Sequence, residues 1–215
     1  NDWGNRMIRF RHIAILGVTT LLLTATASGA QAYWAWGSTW TNPAAARNLY
    51  IWAPTWNATQ ESAIASSNLE FDSTSGSNLN ITGMIASSSP TSFESARFKV
   101  ILVPANEFPI PSVAAIGCRT LNCEGDVTTT GTNRGYVYLN GEFAFSSNWL
   151  SQYKVVDLAT IVTHELGHVH GLGHPWQNPA TSAMTSAEIA SVMNYTETTK
   201  RLLKPDDISG LAANY

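Results

Sequence analysis

Apolar residues recur along this chain both in short runs and at helical spacing, and the two patterns predict a mixture of strands and helices. Short apolar runs bounded by proline, glycine or asparagine are typical of buried strands. Such runs occupy residues 48–52, 98–103 and 135–140, and a weaker one lies at residues 79–85. The serine-rich residues 73–95 separate no second domain, so we interpret them as loops within one fold.

Helical spacing is clearest in the last third of the chain. Asp157 is a suitable N-cap, and the residues after it place their apolar side chains on one stripe: Leu158, Ile161, Val162, Leu166 and Val169. The pattern predicts a helix that starts at residue 158 and runs to about His170.

Two further helices are predicted on weaker patterns. One covers residues 56–68, and the other begins at Pro205, whose fixed φ suits a first helical turn. Asp206 and Asp207 would favour the positive end of this last helix. Capping is the preferred role for both aspartates, and structural calcium binding is the alternative, as it is for Asp126 in a polar loop.

Composition indicates a globular chain with one core. The 215 residues are 44% hydrophobic and 13% charged, which excludes a disordered or polyelectrolyte protein. A formal net charge of -3 gives no support for nucleic-acid binding. We expect one domain, acting as a monomer.

The first 32 residues have the features of a secretory signal. Arg6, Arg9 and Arg11 precede an apolar run that ends in the small residues before Ala32. We expect Met7 to be the initiator and cleavage to follow Ala32, which leaves residues 33–215 as a secreted catalytic domain without a membrane segment. A membrane anchor is the alternative, but it needs about 20 apolar residues and this run is shorter.

Candidate chemistry lies on the predicted helix of residues 158–170. His164 and His168 are four residues apart, so on a helix both imidazoles would face the same metal ion. Glu165 follows the first histidine directly, a position that suits a general base rather than a ligand. His170 lies two residues from His168 and would face away from the metal, as a surface or packing histidine.

A third ligand is predicted beyond the helix. Gly171 can adopt the left-handed conformation that a sharp turn requires, and the turn would bring His174 back to the metal. Three neutral imidazoles leave one tetrahedral position open, which is typical of catalytic zinc.

His164, Glu165, His168, Gly171 and His174 together resemble the H-E-x-x-H-x-x-G-x-x-H signature of the metzincin zinc endopeptidases. The resemblance implies a methionine turn under the metal. Met193 is the favoured methionine and Met184 the rival. Tyr195 occupies the place where astacins and serralysins carry a tyrosine that binds the metal or the reacting oxyanion.

The order of elements is similar to the matrixin-like catalytic domain. The resemblance implies an α+β zincin fold, in which a twisted mixed sheet with an antiparallel edge strand lies beside the zinc-binding active-site helix, followed by the Met-turn and a C-terminal helix. Residues 112–118 would form that edge strand. They would bind a protein or peptide substrate as an added extended strand.

The two cysteines, Cys118 and Cys123, are close in sequence. In an exported protein we expect them to form a short-loop disulfide, because no further cysteine or nearby histidine completes a metal site with them.

The predicted function is that of a secreted zinc-dependent endopeptidase with one catalytic zinc. The alternative is a secreted zinc-containing binding protein on the same scaffold without turnover, although such a protein would have no chemical need for Glu165. An exopeptidase would need a group that captures a chain terminus, and we identify none in the sequence.

Overall fold

The computed structural model describes residues 34–35, 40–72, 74, 76–119, 134–148, 153–177, 183–194 and 199–215. In chain order its strands are β1 Trp34–Ala35, β2 Arg47–Trp52, β3 Ile81–Ser87, β4 Phe98–Val103, β5 Ala115–Cys118, β6 Gly135–Asn140, β7 Ala144–Ser146, β8 Val155–Asp157 and β9 Leu172–Gly173. Its helices are α1 Ala58–Leu69, α2 Pro90–Ser95, α3 Leu158–Val169, α4 Ser186–Ala190 and α5 Pro205–Asn214.

The main sheet has five strands in the order β3-β2-β4-β6-β5. β2 pairs in parallel with β3 and β4, and β4 pairs in parallel with β6. β5 is antiparallel to β6 and forms one edge of the sheet. This mixed sheet with an antiparallel edge strand confirms the predicted α+β fold class.

Most elements lie where the hydrophobic pattern predicts them. β4 and β6 have the predicted limits, and β2 begins one residue earlier than predicted. The predicted edge strand of residues 112–118 is shorter in the structure, where only Ala115–Cys118 pairs with β6. The pairing register brings Gly117 opposite Val137, near the middle of β6.

α1 and α3 pack together, and α3 also packs on β5 and β6. The apolar stripe predicted for α3 is buried, with Val162, Leu166 and Val169 fully inaccessible to solvent. The main core therefore lies between the sheet and these helices, and it holds α3 against the edge strand.

Two short pairings complete the surroundings of α3. β1 pairs antiparallel with β9, the segment that follows α3, and β7 pairs in parallel with β8, which leads into α3. Both ends of the helix are thus tied to strands. Within the described ranges, no helix is long and apolar enough to cross a membrane.

Candidate metal centre

The start of α3 is fixed by its N-cap, Asp157. Its Oδ1 accepts hydrogen bonds from the backbone N–H of Thr160 at 2.8 Å and from the Thr160 hydroxyl at 2.7 Å. Arg201 pairs with the same carboxylate, with Nη2 2.6 Å from Oδ2. Burial alone would raise the pKa of Asp157, but the hydrogen bonds from Arg201 and Thr160 outweigh it and hold the pKa below its usual value. The charged cap therefore sets where His164 and His168 fall on the helix.

The end of α3 is set by Gly171, as the sequence predicts. Its φ is +87°, a conformation that side chains with a Cβ rarely adopt. The N–H of Gly171 donates to the carbonyl of His168 at 2.9 Å, which closes the last turn. The chain then reverses through β9 and reaches His174.

His164, His168 and His174 converge. The Nε2 atom of His174 lies 3.2 Å from Nε2 of His164 and 3.1 Å from Nε2 of His168. All three can place a ring nitrogen within 4.8 Å of the others. The geometry is that of three ligands directed at one point.

The tautomers of two of these rings follow from their hydrogen bonds. Nδ1 of His164 lies 2.8 Å from the carbonyl oxygen of Val192, and Nδ1 of His168 lies 2.8 Å from that of Leu172. Because a carbonyl oxygen only accepts, each Nδ1 must donate, and in the neutral ring Nε2 then carries a lone pair. Two lone pairs thus face the point where the third Nε2 also lies, and a metal cation fits this donor set.

Burial keeps two histidines of the site in the neutral form, which can bind a metal. It lowers the pKa of His168 well below the usual value, with a further lowering from His164 and His174 that the Leu172 carbonyl only partly opposes. Burial, and then His164, lower the pKa of His174 to about 3. Both rings are neutral at physiological pH and can offer a lone pair to a metal.

Glu165 lies beside the triad, with 7% of its surface exposed. Its Oε2 accepts a 2.6 Å hydrogen bond from the backbone N–H of Gly117 in β5. Burial raises the pKa of the Glu165 carboxyl, while His164 and the Gly117 N–H act in the opposite direction. A carboxylate of raised pKa is a stronger base, and here it faces the open edge of the sheet.

Met193 packs against α3. It is almost fully buried, and a Cβ at Gly167 would come within 2.3 Å of its sulfur. Met184, the rival methionine, is 38% exposed. Of the two, Met193 is the one packed against α3 beside the histidines.

The segment that contains Met193 is held by Asp207. Its Oδ1 accepts from the Ser191 hydroxyl at 2.5 Å, and its Oδ2 accepts from the N–H of Val192 at 3.0 Å. Oδ2 also accepts from the N–H of Lys204 at 2.8 Å, which confirms the predicted capping role of Asp207 on α5. Since the Val192 carbonyl orients His164, Asp207 supports the metal site through two hydrogen bonds in series, one from Val192 N–H to Asp207 and one from His164 Nδ1 to the Val192 carbonyl.

The structure describes only some of the other residues that the sequence singles out. Tyr195, Cys123 and Asp126 lie outside the described residues, so the tyrosine role, the disulfide and the calcium alternative at Asp126 stay predictions. Cys118 ends β5 and is buried. His170 is 0% exposed and packs between aromatic rings, where its Nδ1 accepts a 2.9 Å hydrogen bond from Nε1 of Trp40.

Three residues that sequence reasoning missed belong to the site: Gly117, Gly167 and Trp176. The first two carried a signal, since a glycine inside a strand or a helix often marks a close approach. A Cβ on Gly117 would lie 2.2 Å from the backbone oxygen of Glu165. The ring of Trp176 stacks on His174, and nothing in the sequence pattern pointed to that contact.

A mixed sheet with an antiparallel edge strand, beside a helix that carries two of three convergent histidines, is the architecture of a metzincin-type catalytic domain. The family model for matrixins matches residues 119–215, a range that contains all three histidines, Glu165 and Met193. The predicted resemblance to a matrixin-like domain is therefore confirmed over residues 119–215, and the matrixins are a family of zinc-dependent metalloproteases. A comparison with curated proteins found no match.

Proposed function

We propose that this protein is a secreted endopeptidase that hydrolyses internal peptide bonds with one zinc ion held by His164, His168 and His174. The observation that carries the proposal is the convergence of three Nε2 atoms beside a buried carboxylate, Glu165. When bound, zinc supplies Lewis-acid chemistry that polarises a carbonyl group and lowers the pKa of water.

Glu165 would move the proton. As a water oxygen forms a bond to the scissile carbonyl carbon, the Glu165 carboxylate accepts a proton from that water. It then donates the proton to the peptide nitrogen as the carbon–nitrogen bond breaks. Its raised pKa favours both transfers, because a weaker acid is a better base and still returns the proton to an amine.

The substrate would lie along β5. The N–H of Gly117 points to Glu165 rather than to β6. At this position the backbone N–H and C=O of β5 therefore face the open edge of the sheet. An extended peptide added to this edge would pass directly beside Glu165 and the triad. Met193 would form the apolar floor of the site, and Tyr195 would assist the oxyanion.

The decisive experiment measures cleavage of an unfolded protein such as casein by residues 33–215. We expect cleavage at internal bonds, loss of cleavage with a zinc chelator, and recovery when zinc is restored. Restoring zinc with and without calcium tests the alternative in which the protein also binds structural calcium. Peptides blocked at both ends separate the two protease classes, because an endopeptidase cleaves them and an exopeptidase does not.

Glu165→Gln is the matched variant, and Glu107→Gln is its control, since Glu107 is an exposed carboxylate in the turn after β4. We expect Glu165→Gln to keep zinc and lose cleavage, and Glu107→Gln to keep both. Zinc binding without cleavage of any peptide by the unaltered protein would favour the binding-protein alternative.

Export has a separate test. Residues 1–32 would be removed during secretion, so protein recovered from the medium of expressing cells should begin at Tyr33. An intact N-terminus on cell-associated protein would contradict secretion without affecting the enzymatic proposal. Size-exclusion chromatography of the processed protein tests the expected monomer.

A further inference from the structure

His174 lacks the support that the other two histidines have. His164 and His168 each donate from Nδ1 to a backbone carbonyl, which fixes the tilt of the ring. The Nδ1 atom of His174 is buried and has no hydrogen-bond partner among the residues that the structure describes. Ligating histidines nearly always use this second nitrogen to hold their orientation, so the ring of His174 must be held differently.

Trp176 lies flat against that ring. The centroids of the two rings are 3.9 Å apart and the planes differ by 13°, which is a face-to-face stack. The contact is built by the short 3-10 helix Pro175–Gln177. Within it, Gln177 anchors the backbone of His174 twice, with its side-chain Oε1 3.1 Å from the His174 N–H and its own N–H 3.0 Å from the His174 carbonyl.

Gln177 and Trp176 contact different parts of His174. Gln177 fixes the backbone of His174, and its side-chain amide also raises the pKa of the imidazole against the effect of burial, although Nδ1 has no hydrogen bond of normal geometry. In the described part of the chain, the stack on Trp176 is the closest of the ring contacts to an imidazole whose Nδ1 has no hydrogen-bond partner. One face of His174 is covered by the indole, and its edge points Nε2 at His164 and His168.

We propose that Trp176 is a positioning residue for the metal, which holds the third ligand by stacking where the other two ligands are held by hydrogen bonds. The stack also favours the metal-bound state. A metal draws electron density from the imidazole and makes it more cationic, and a cationic ring is attracted more strongly to the face of an indole. Trp176 should thus raise metal affinity.

The same contact has a second interpretation, in which Trp176 serves the substrate. Half of its surface is exposed, so its outer face could also contact a bound peptide. The two interpretations differ in what changes when the indole is removed: metal affinity in our proposal, and the KM for peptide in the other.

The test measures zinc binding to the metal-free protein in competition with a chromophoric chelator. For Trp176→Ala we expect zinc affinity to fall roughly 3- to 30-fold, the range given by loss of a cation–π contact and by loss of support for a ligand. Trp176→Phe keeps a flat ring and should recover most of the loss, whereas Trp176→Leu should not. Trp52→Ala is the control, since Trp52 is a partly buried tryptophan that packs on Phe93, with no described contact to the triad.

Two more readouts exclude a merely structural role. The melting temperature of the metal-free Trp176→Ala protein should match the unaltered protein, because the side chain is half exposed. The visible spectrum of the cobalt-substituted site, which reports ligand geometry, should change in Trp176→Ala and not in Trp52→Ala.

Unchanged zinc affinity in Trp176→Ala would overturn the proposal, and so would a Phe variant as weak as the Ala variant. Unchanged affinity with a raised KM would assign Trp176 to the substrate instead. The proposal rests on the metal site of the proposed function but not on turnover. If the unaltered protein binds zinc and cleaves no peptide, the endopeptidase fails while the role of Trp176 can still be measured.

Discussion

The backbone N–H of Gly117 donates a 2.6 Å hydrogen bond to Oε2 of Glu165, so the edge strand and the predicted general base are directly connected. The close approach is possible only because residue 117 has no side chain, as a Cβ would lie 2.2 Å from the Glu165 carbonyl oxygen and 2.9 Å from its carbonyl carbon. The contact sets the distance between the base and any peptide that pairs with β5.

Gly117→Ala should damage both stability and catalysis. The clash is with backbone atoms of α3, which cannot rotate away, so either β5 or the helix must move. We expect a loss of about 1–3 kcal/mol in the free energy of unfolding. We also expect kcat to fall by about 10- to 100-fold, because the base is displaced from the substrate.

Thermal unfolding and peptide cleavage check this prediction. Ile116→Ala is the control, because its side chain belongs to the apolar cluster around Val103, Phe108 and Tyr138, away from Glu165. That variant should lose stability and keep most of its kcat. A Gly117→Ala protein with unaltered kcat would show that the contact does not position Glu165.

What the sequence could predict at this site depends on the range of the interaction. The spacing of His164, His168 and His174 is local, because helix geometry and one glycine turn determine where each ring points. The contact between Gly117 and Glu165 joins residues 48 positions apart and depends on how α3 packs on the sheet. Only the glycine inside a strand pattern hinted at it.

The same distinction applies to the fold. The limits of β4 and β6 followed from continuous apolar runs, whereas β5 is shorter than predicted because only its last four residues meet the pairing register of β6. The role of Asp207 was predicted correctly as a cap on its own helix. Its bonds to Ser191 and Val192 were not predicted, because they link two segments through tertiary packing.

Asp207→Ala should loosen the segment under the metal. The change removes the acceptor for the N–H of Val192 and for the N–H of Lys204 in a fully buried position. We expect the free energy of unfolding to fall by about 2–4 kcal/mol. Zinc affinity should fall by about 10- to 100-fold, because the Val192 carbonyl that orients His164 is no longer held.

Chelator competition and thermal unfolding measure these two effects, with Asp206→Asn as the neighbouring control. Asp206 is the adjacent carboxyl on α5, and no described hydrogen bond joins it to Val192 or Ser191. Its variant should bind zinc as the unaltered protein does. Normal zinc affinity in Asp207→Ala would show that His164 does not depend on this segment.

Asp206 should make stability depend on pH. Burial, then the charges of Asp207 and Glu188, raise the pKa of its carboxyl to about 7. In the unfolded chain the pKa is near the ordinary value of about 4. Between these values the folded state binds more protons than the unfolded state, so the stability contributed by Asp206 falls as pH rises from about 4 to about 7.

Asp206→Asn removes that titration. The difference in melting temperature between the variant and the unaltered protein should move in favour of the variant from pH 4 to pH 7, and stay constant above pH 8. Both proteins should be measured without metal, so that the other titrating groups cancel in the difference. A difference that does not change with pH would mean that Asp206 titrates normally in the folded protein.

Replacing His170 and replacing His174 should have different effects on stability and on its dependence on zinc. His174 contributes one of the three convergent Nε2 atoms, whereas His170 is buried in an aromatic cluster and accepts a hydrogen bond from Trp40. Zinc at 100 times its Kd should stabilise the unaltered protein by about 2.7 kcal/mol, because it binds the folded state. In the absence of zinc, His174→Ala should have the same free energy of unfolding as the unaltered protein. Added zinc should not stabilise this variant. His170→Ala should instead lose about 2–4 kcal/mol in its free energy of unfolding without zinc, since it leaves a cavity and an unpaired indole N–H, and zinc should still stabilise it.

Melting temperatures of the three proteins with and without zinc test the effects predicted for the two substitutions. A zinc-induced rise that survives His174→Ala would remove this histidine from the metal site.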